Sequence, residues 1–287
     1  MPAMTHVPPS FGSPRDGAAS SRDTVSRCGG QTLRRRRSVR VPALLVAALW
    51  VGAAAAALAQ ETEEESAFSF GAELEVTSRY VWRGLEASDG TVAEPLIWAS
   101  AGKFTLSGWG NVPLTAGANR GSFDEADVTL GYSTTWGKLK IEPAACWFHY
   151  RNQPDAPDTG ELSLTLTYPA GPVELFLEHD LDIAEYSGAY FDVLGATWTG
   201  KKSSGGVTPA VQLAVALGSA KFNEAYVGPA SAAVNFVMAD FGVTYETKGA
   251  FYARVHVCAL ATVAGTIRNE LPSGDLVFGG VVLGVGF

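Results

Sequence analysis

Cysteine, histidine and helical periodicity are all scarce in this 287-residue chain, and each scarcity removes a class of function. The three cysteines, Cys28, Cys146 and Cys258, form no CxxC pair and no cluster with the four histidines. The sequence therefore carries no zinc or haem signature and implies no metal and no cofactor. If Cys28 leaves with an amino-terminal leader, Cys146 and Cys258 remain, either as one disulfide of an exported chain or as two small buried residues. No GxSxG elbow marks a nucleophile, and no catalytic residue is assigned. Basic residues are also scarce beyond residue 60, where 13 Lys+Arg face 27 Asp+Glu, about −14 in net charge. Such an acidic chain disfavours nucleic acid as a partner.

The missing positive charge sits at the amino end. Residues 1–60 hold eight of the 21 Lys+Arg, including Arg34 to Arg37 and Arg40, and two acids. Residues 1–33, rich in Ser, Gly, Pro and Arg, read as disordered or as an upstream extension without function. Segment 34–59 places the basic cluster before VPALLVAALWVGAAAAALA and ends on Ala57-Leu58-Ala59, the three parts of a secretory signal peptide. The competing reading is a retained anchor, since residues 41–59 are just long enough to span a bilayer. Residues 60–71 open with ETEEES and form an acidic periplasmic lead too charged to pack.

From residue 72 to 287 the chain is a succession of segments about ten residues long with period-two apolar alternation. Twelve strands are predicted: 72–83, 92–101, 103–111, 124–136, 138–150, 160–168, 172–181, 189–199, 207–217, 231–246, 250–263 and 275–287. In ELSLTLTY, Leu162, Leu164, Leu166 and Tyr168 share one face and Glu161, Ser163, Thr165 and Thr167 the other. Short and long connections alternate along the chain. That rhythm, with an even strand number, predicts an all-β fold, a transmembrane antiparallel up-and-down β-barrel of twelve strands. A soluble β-sandwich or small ligand-binding barrel is the competing reading, but its apolar faces would need a second layer to cover them. Aromatics gather at strand ends, and Tyr80, Trp82, Trp136, Tyr168 and Trp198 are read as membrane-interface girdles. A parity break between Val234 and Phe241 predicts a β-bulge near Ala239-Asp240. The terminal Phe287 reads as the signal by which such barrels are recognised by the barrel assembly machinery.

SRYVWRG at 78–84, Glu94-Pro95, and GWGN at 108–111 together resemble the outer-membrane porins of the TorF type. These begin with a serine, an aromatic and Arg-Gly in the first strand, followed by Gln-Pro and a Trp-containing third strand. The motifs cover roughly residues 70–111; beyond them the likeness is strand rhythm and the terminal Phe. Glu94 stands where the family pattern has glutamine. The resemblance implies a barrel and solute passage, without naming a solute.

On the inward parity fall Glu73, Glu75, Arg79, Arg83, Lys103, Glu125, Asp127, Lys140, Glu142, Glu174, Glu178, Arg254 and His256, the candidates for a lumen lining. Charges of both signs leave two readings. They line a solvated pore for small polar or charged solutes, with Arg79 and Arg83 offering planar donor forks. Alternatively they pair with one another and plug the lumen. An enzyme acting on lipid from the outer rim, near His149 and His179, is the remaining alternative. The implied partners are outer-membrane lipid around the wall, the assembly machinery, and small polar solutes.

Overall fold

The computed structural model describes residues 68–117, 119–153 and 156–287. The expected extension, the signal peptide and the acidic lead as far as Ala67 lie outside the described residues.

In chain order the strands are β1 (Phe68–Thr77), β2 (Tyr80–Trp82), β3 (Leu85–Ser88), β4 (Val92–Ala101), β5 (Phe104–Pro113), β6 (Glu125–Tyr132), β7 (Thr134–Trp136), β8 (Leu139–Tyr150), β9 (Thr159–Ala170), β10 (Val173–Asp182), β11 (Tyr190–Thr199), β12 (Val207–Gly218), β13 (Ala233–Glu246), β14 (Phe251–Thr262) and β15 (Asp275–Gly286). Two short helices, α1 (Ala220–Tyr226) and α2 (Gly265–Arg268), lie in long connections. Strands β6 and β7 both pair with β8 and form one wall strand interrupted at Ser133. The wall is therefore a closed antiparallel barrel of 12 strands with up-and-down topology. Closure is made by β1 against β15, in register from Gly71↔Gly286 to Thr77↔Gly280. It leaves no open strand edge in the wall.

The alternation read from the sequence decides which side chains face out. Leu106, Val128, Leu213, Val255 and Val277 are each more than half exposed on the outer wall. The alternate positions turn inward, where Glu125, Asp127, Glu161 and Asp180 are buried. Tight turns join the strands at one rim, as at Gly102 and Gly171, both with positive φ. Outward aromatics mark that rim: Trp136 is 79% exposed, Tyr168 45% and Trp198 41%. Phe287 stacks on Phe70 at 5.3 Å there and closes the last backbone bonds with it. The long connections lie at the opposite rim, and a buried hydrophobic cluster fills the interior near that end.

Three expectations change. The first wall strand ends at Thr77, and the chain then leaves the sheet to form a separate hairpin of β2 and β3. Lys103 falls in the exposed turn after Gly102 and not on a strand, so it belongs to the rim and not to the lumen lining. The bulge lies at Asn235 and not at Ala239-Asp240, because Ala216 pairs with Phe236 while Leu217 pairs with Val234. The extra residue turns Phe236 and Met238 inward, into or against the buried cluster, and leaves Val237 and Phe241 outward.

Candidate functional site

The hairpin is the feature that organises the interior. Arg83 at φ 47° and Gly84 at φ 82° give the two left-handed residues that a two-residue turn of the primed type requires. Gly84 is further constrained by space, since a Cβ there would lie 2.4 Å from the Phe236 ring. Arginine in this conformation costs about 1–2 kcal/mol. Its side chain offsets that strain. Arg83 Nη1 and Nη2 donate to Glu161 of β9 at 2.8 and 2.6 Å, and Nη2 also lies 2.9 Å from Asp180 of β10. Its guanidinium sits 4.6 Å from the Trp82 ring centre and 5.3 Å from that of Phe191. A planar fork that pairs bidentately and stacks at the same time is a role lysine cannot fill.

Around this ion cluster the aromatics pack in tilted pairs, with Trp82 and Tyr226 edge to face. Trp82, fully buried, lies 5.7 Å from Phe222 and 5.1 Å from Tyr226 of α1, and Phe222 lies 4.6 Å from Phe191. Helix α1 is fixed by Ser219, whose hydroxyl accepts from Phe222 N, and by Asn235, which bonds Gly218 N and Asn223. The Asn235 bulge thus aims an amide into the loop-end core and ties α1 to the wall.

Tyr80 and Trp82 are therefore not girdle residues. Both are buried in the interior, and Tyr80 donates to Glu125 Oε2 at 3.0 Å while packing 5.7 Å from Trp109. Half-exposed outer aromatics near the long-connection rim are Trp147 and Tyr190 instead. The motif pieces 78–84 and 108–111 meet here, since Asn111, 2% exposed, donates to Asp124 beside Glu125.

Toward the tight-turn rim the interior carries ionic side chains in a second group. His256 bridges Asp240 at 2.7 Å and Glu75 at 2.8 Å, and Arg254 pairs with Asp240. Tyr252 donates to Glu73. The His256–Glu75 and Tyr252–Glu73 bonds run from β14 to β1 across the intervening β15, whose inner face has glycine at positions 280 and 284. A Cβ at Gly280 would lie 2.7 Å from Glu75 Oε1, and one at Gly284 would lie 2.2 Å from the Tyr252 ring. The space over Gly280 and Gly284 is thus taken by the side chains of the neighbouring strands. Lys140 pairs with Glu142 at 2.8 Å, Arg79 pairs with Glu86 of the hairpin, and Glu174 and Glu178 lie on the face of β10 that carries Asp180.

Sequence reasoning missed Phe191, Phe222, Tyr226 and Asn235, and did not pair Glu161 with Arg83. The residues named for an enzyme reading stand apart: His149 pairs with Asp158 and His179 with Asp192 at the outer rim. Among the described residues neither imidazole is bonded to a serine. Cys146 and Cys258 are both free thiols. Among the described residues no cluster of three or more His, Cys, Asp or Glu has metal-binding geometry.

No protein family matches the chain, and no curated protein does. Among solved structures, the chain is similar to the KdgM porin at 12% identity, covering 76% of this chain and 99% of that one, with a TM-score of 0.48. It is also similar to the NanC porin at 13% identity, covering 77% and 99%, with a TM-score of 0.45. An outer membrane channel from Pseudomonas putida F1 matches at 12% identity over 79% and 97%, with a TM-score of 0.42.

Proposed function

We propose that this barrel spans an outer membrane and passes small polar or charged solutes, with cations preferred, through an interior whose narrowest level is the β2–β3 hairpin. The outer wall supports the membrane part of the reading: in water its exposed apolar side chains would cost about 25 cal/mol for each Å2, whereas lipid is their natural solvent. One observation carries the passage. Ionic side chains on the tight-turn side of the hairpin remain within reach of solvent inside the barrel, with Lys140 34%, Glu75 28% and Arg254 22% exposed.

The sign of the preference follows from pairing. Arg79, Arg83, Lys140 and Arg254 are each engaged with a carboxylate. Glu94, Glu125, Asp127, Glu174 and Glu178 make no ion pair among the described residues, so carboxyl groups outnumber cationic side chains in the interior. A barrel sealed at the hairpin is the second reading, favoured by the fully buried Trp82 and Phe222.

Recovery in the outer-membrane fraction with heat-modifiable migration in detergent gels tests the membrane barrel; a freely soluble protein removes it. Conductance in planar bilayers under a KCl gradient tests passage. The expected reversal potential is that of a cation-preferring pore. No conductance over a range of salts selects the sealed barrel.

A further inference from the structure

At the end of the hairpin away from the Arg83–Gly84 turn lies a cavity of about 40 Å3 lined by Tyr80, Ala87, Ser88, Asn111, Asp124, Glu125 and Gln153. That is room for one water-sized occupant. Its lining holds no cationic side chain, and the Ser88 hydroxyl donates to the Gly90 carbonyl. Glu125 is 0% exposed and Asn111 2%, and among the described residues neither Glu125 Oε1 nor Asn111 Oδ1 has a hydrogen-bond partner. The available donors point elsewhere: Tyr80 gives its proton to Glu125 Oε2, Asn111 Nδ2 gives to Asp124 Oδ1, and Gln153 gives to the Asp124 carbonyl. Among the described residues no Lys, Arg or His forms an ion pair with Asp124, Glu125 or Asp127. Buried carboxylates and an amide oxygen left in this way carry a large desolvation cost unless a proton or another cation joins them.

We infer that this cavity is a binding site for one small monovalent inorganic cation, of sodium or potassium size, held by Glu125 Oε1 and Asn111 Oδ1 and closed over by the hairpin. The charge class follows from the ligand set: oxygens select a hard cation, and the carboxylates do not converge in the number a divalent ion needs. The size class follows from the cavity, which admits no organic cation. The location couples the site to the hairpin, because Tyr80, Ala87 and Ser88 belong to it.

Hydrogen exchange of the amides of residues 79–88 in the full detergent-solubilised chain tests the site without reference to conductance. It therefore fails or succeeds separately from the pore. In sodium or potassium chloride the hairpin amides are expected to exchange at least tenfold more slowly than in choline chloride of equal ionic strength, with a saturable concentration dependence. Glu125→Gln is expected to abolish the difference. Ala87→Val, which fills the cavity from the hairpin and leaves every carboxylate in place, is expected to abolish it too and serves if Glu125→Gln does not fold. Equal exchange of the unaltered chain in sodium, potassium and choline overturns the proposal, as does a sodium or potassium effect that survives in both variants.

Discussion

Replacing Arg83 by Met should release the hairpin while leaving the wall intact. Methionine keeps the apolar stem of the side chain and loses the charged fork, which is also the part that lies over Trp82 and Phe191. Arg83 is the one cation paired with Glu161 or Asp180 among the described residues, and both carboxylates are buried, at 3% and 4% exposure. Removing one partner of such a buried cluster costs about 3–5 kcal/mol. At about 1.4 kcal/mol for each factor of ten, the ratio of docked to undocked hairpin should fall by roughly two to four orders of magnitude. Hydrogen exchange of residues 79–88 reads that ratio directly, and conductance reads its consequence. Exchange should accelerate by a comparable factor, while the wall strands β12 to β15, which among the described residues make no ion pair with Arg83, keep their protection. Adding Glu161→Gln and Asp180→Asn to Arg83→Met should restore much of the protection, since no uncompensated charge is left behind. Unchanged hairpin exchange in Arg83→Met would show that the ion cluster does not hold the hairpin. Failure of the triple variant to recover would show that the loss is not electrostatic.

Trp82→Ala removes a fully buried indole and should cost about 3–5 kcal/mol of hairpin docking; heat-modifiable migration should persist while conductance rises, and loss of the barrel itself would place Trp82 in wall assembly instead. Gly280→Ala puts a methyl 2.7 Å from Glu75 Oε1 and 3.1 Å from His256 Nε2, so thermal stability in detergent should fall by an amount on the order of 1–3 kcal/mol. Unaltered stability there would mean that the Glu75–His256 bridge over β15 is dispensable. Asn235→Ala leaves Gly218 N and Asn223 without their partner and should cost about 1–3 kcal/mol locally. Limited proteolysis within residues 219–232 should become faster, and unchanged cleavage would exclude the bulge as the tie for α1.

Strand rhythm carried most of the barrel. Residues 92–101 are read from alternation and observed as β4 with the same ends, and most other wall strands differ by one or two residues. The reason is physical: with lipid-compatible residues on one face and polar ones on the other, a one-residue slip would invert both faces. The same rule misleads at SRYVWRGL. Tyr80 and Trp82 continue the parity of Leu74 and Val76, so a wall strand and a hairpin strand look alike in sequence. What separates them is the bend at Ser78-Arg79 and the left-handed Arg83-Gly84 pair, and arginine is not a residue that announces positive φ. The bulge shows a related limit. The parity break was legible, but its place depends on whether Phe236 and Met238 face lipid or the interior, and an apolar side chain suits both. Asn235 was the available signal, a lone amide at a break in an apolar run. The partners of Arg83 were not legible, because Glu161 and Asp180 are 78 and 97 positions away in the chain and only barrel closure brings them to it.

Conductance of a chain in which residues 79–88 are replaced by a Gly-Ser linker of equal length tests the central claim most directly, because it removes the hairpin and leaves all twelve wall strands. If the hairpin sets the narrowest level of a pore, the variant should still show heat-modifiable migration and its single-channel conductance should exceed that of the unaltered chain several-fold, with cation preference retained. A folded variant that conducts no better than the unaltered barrel would contradict the account.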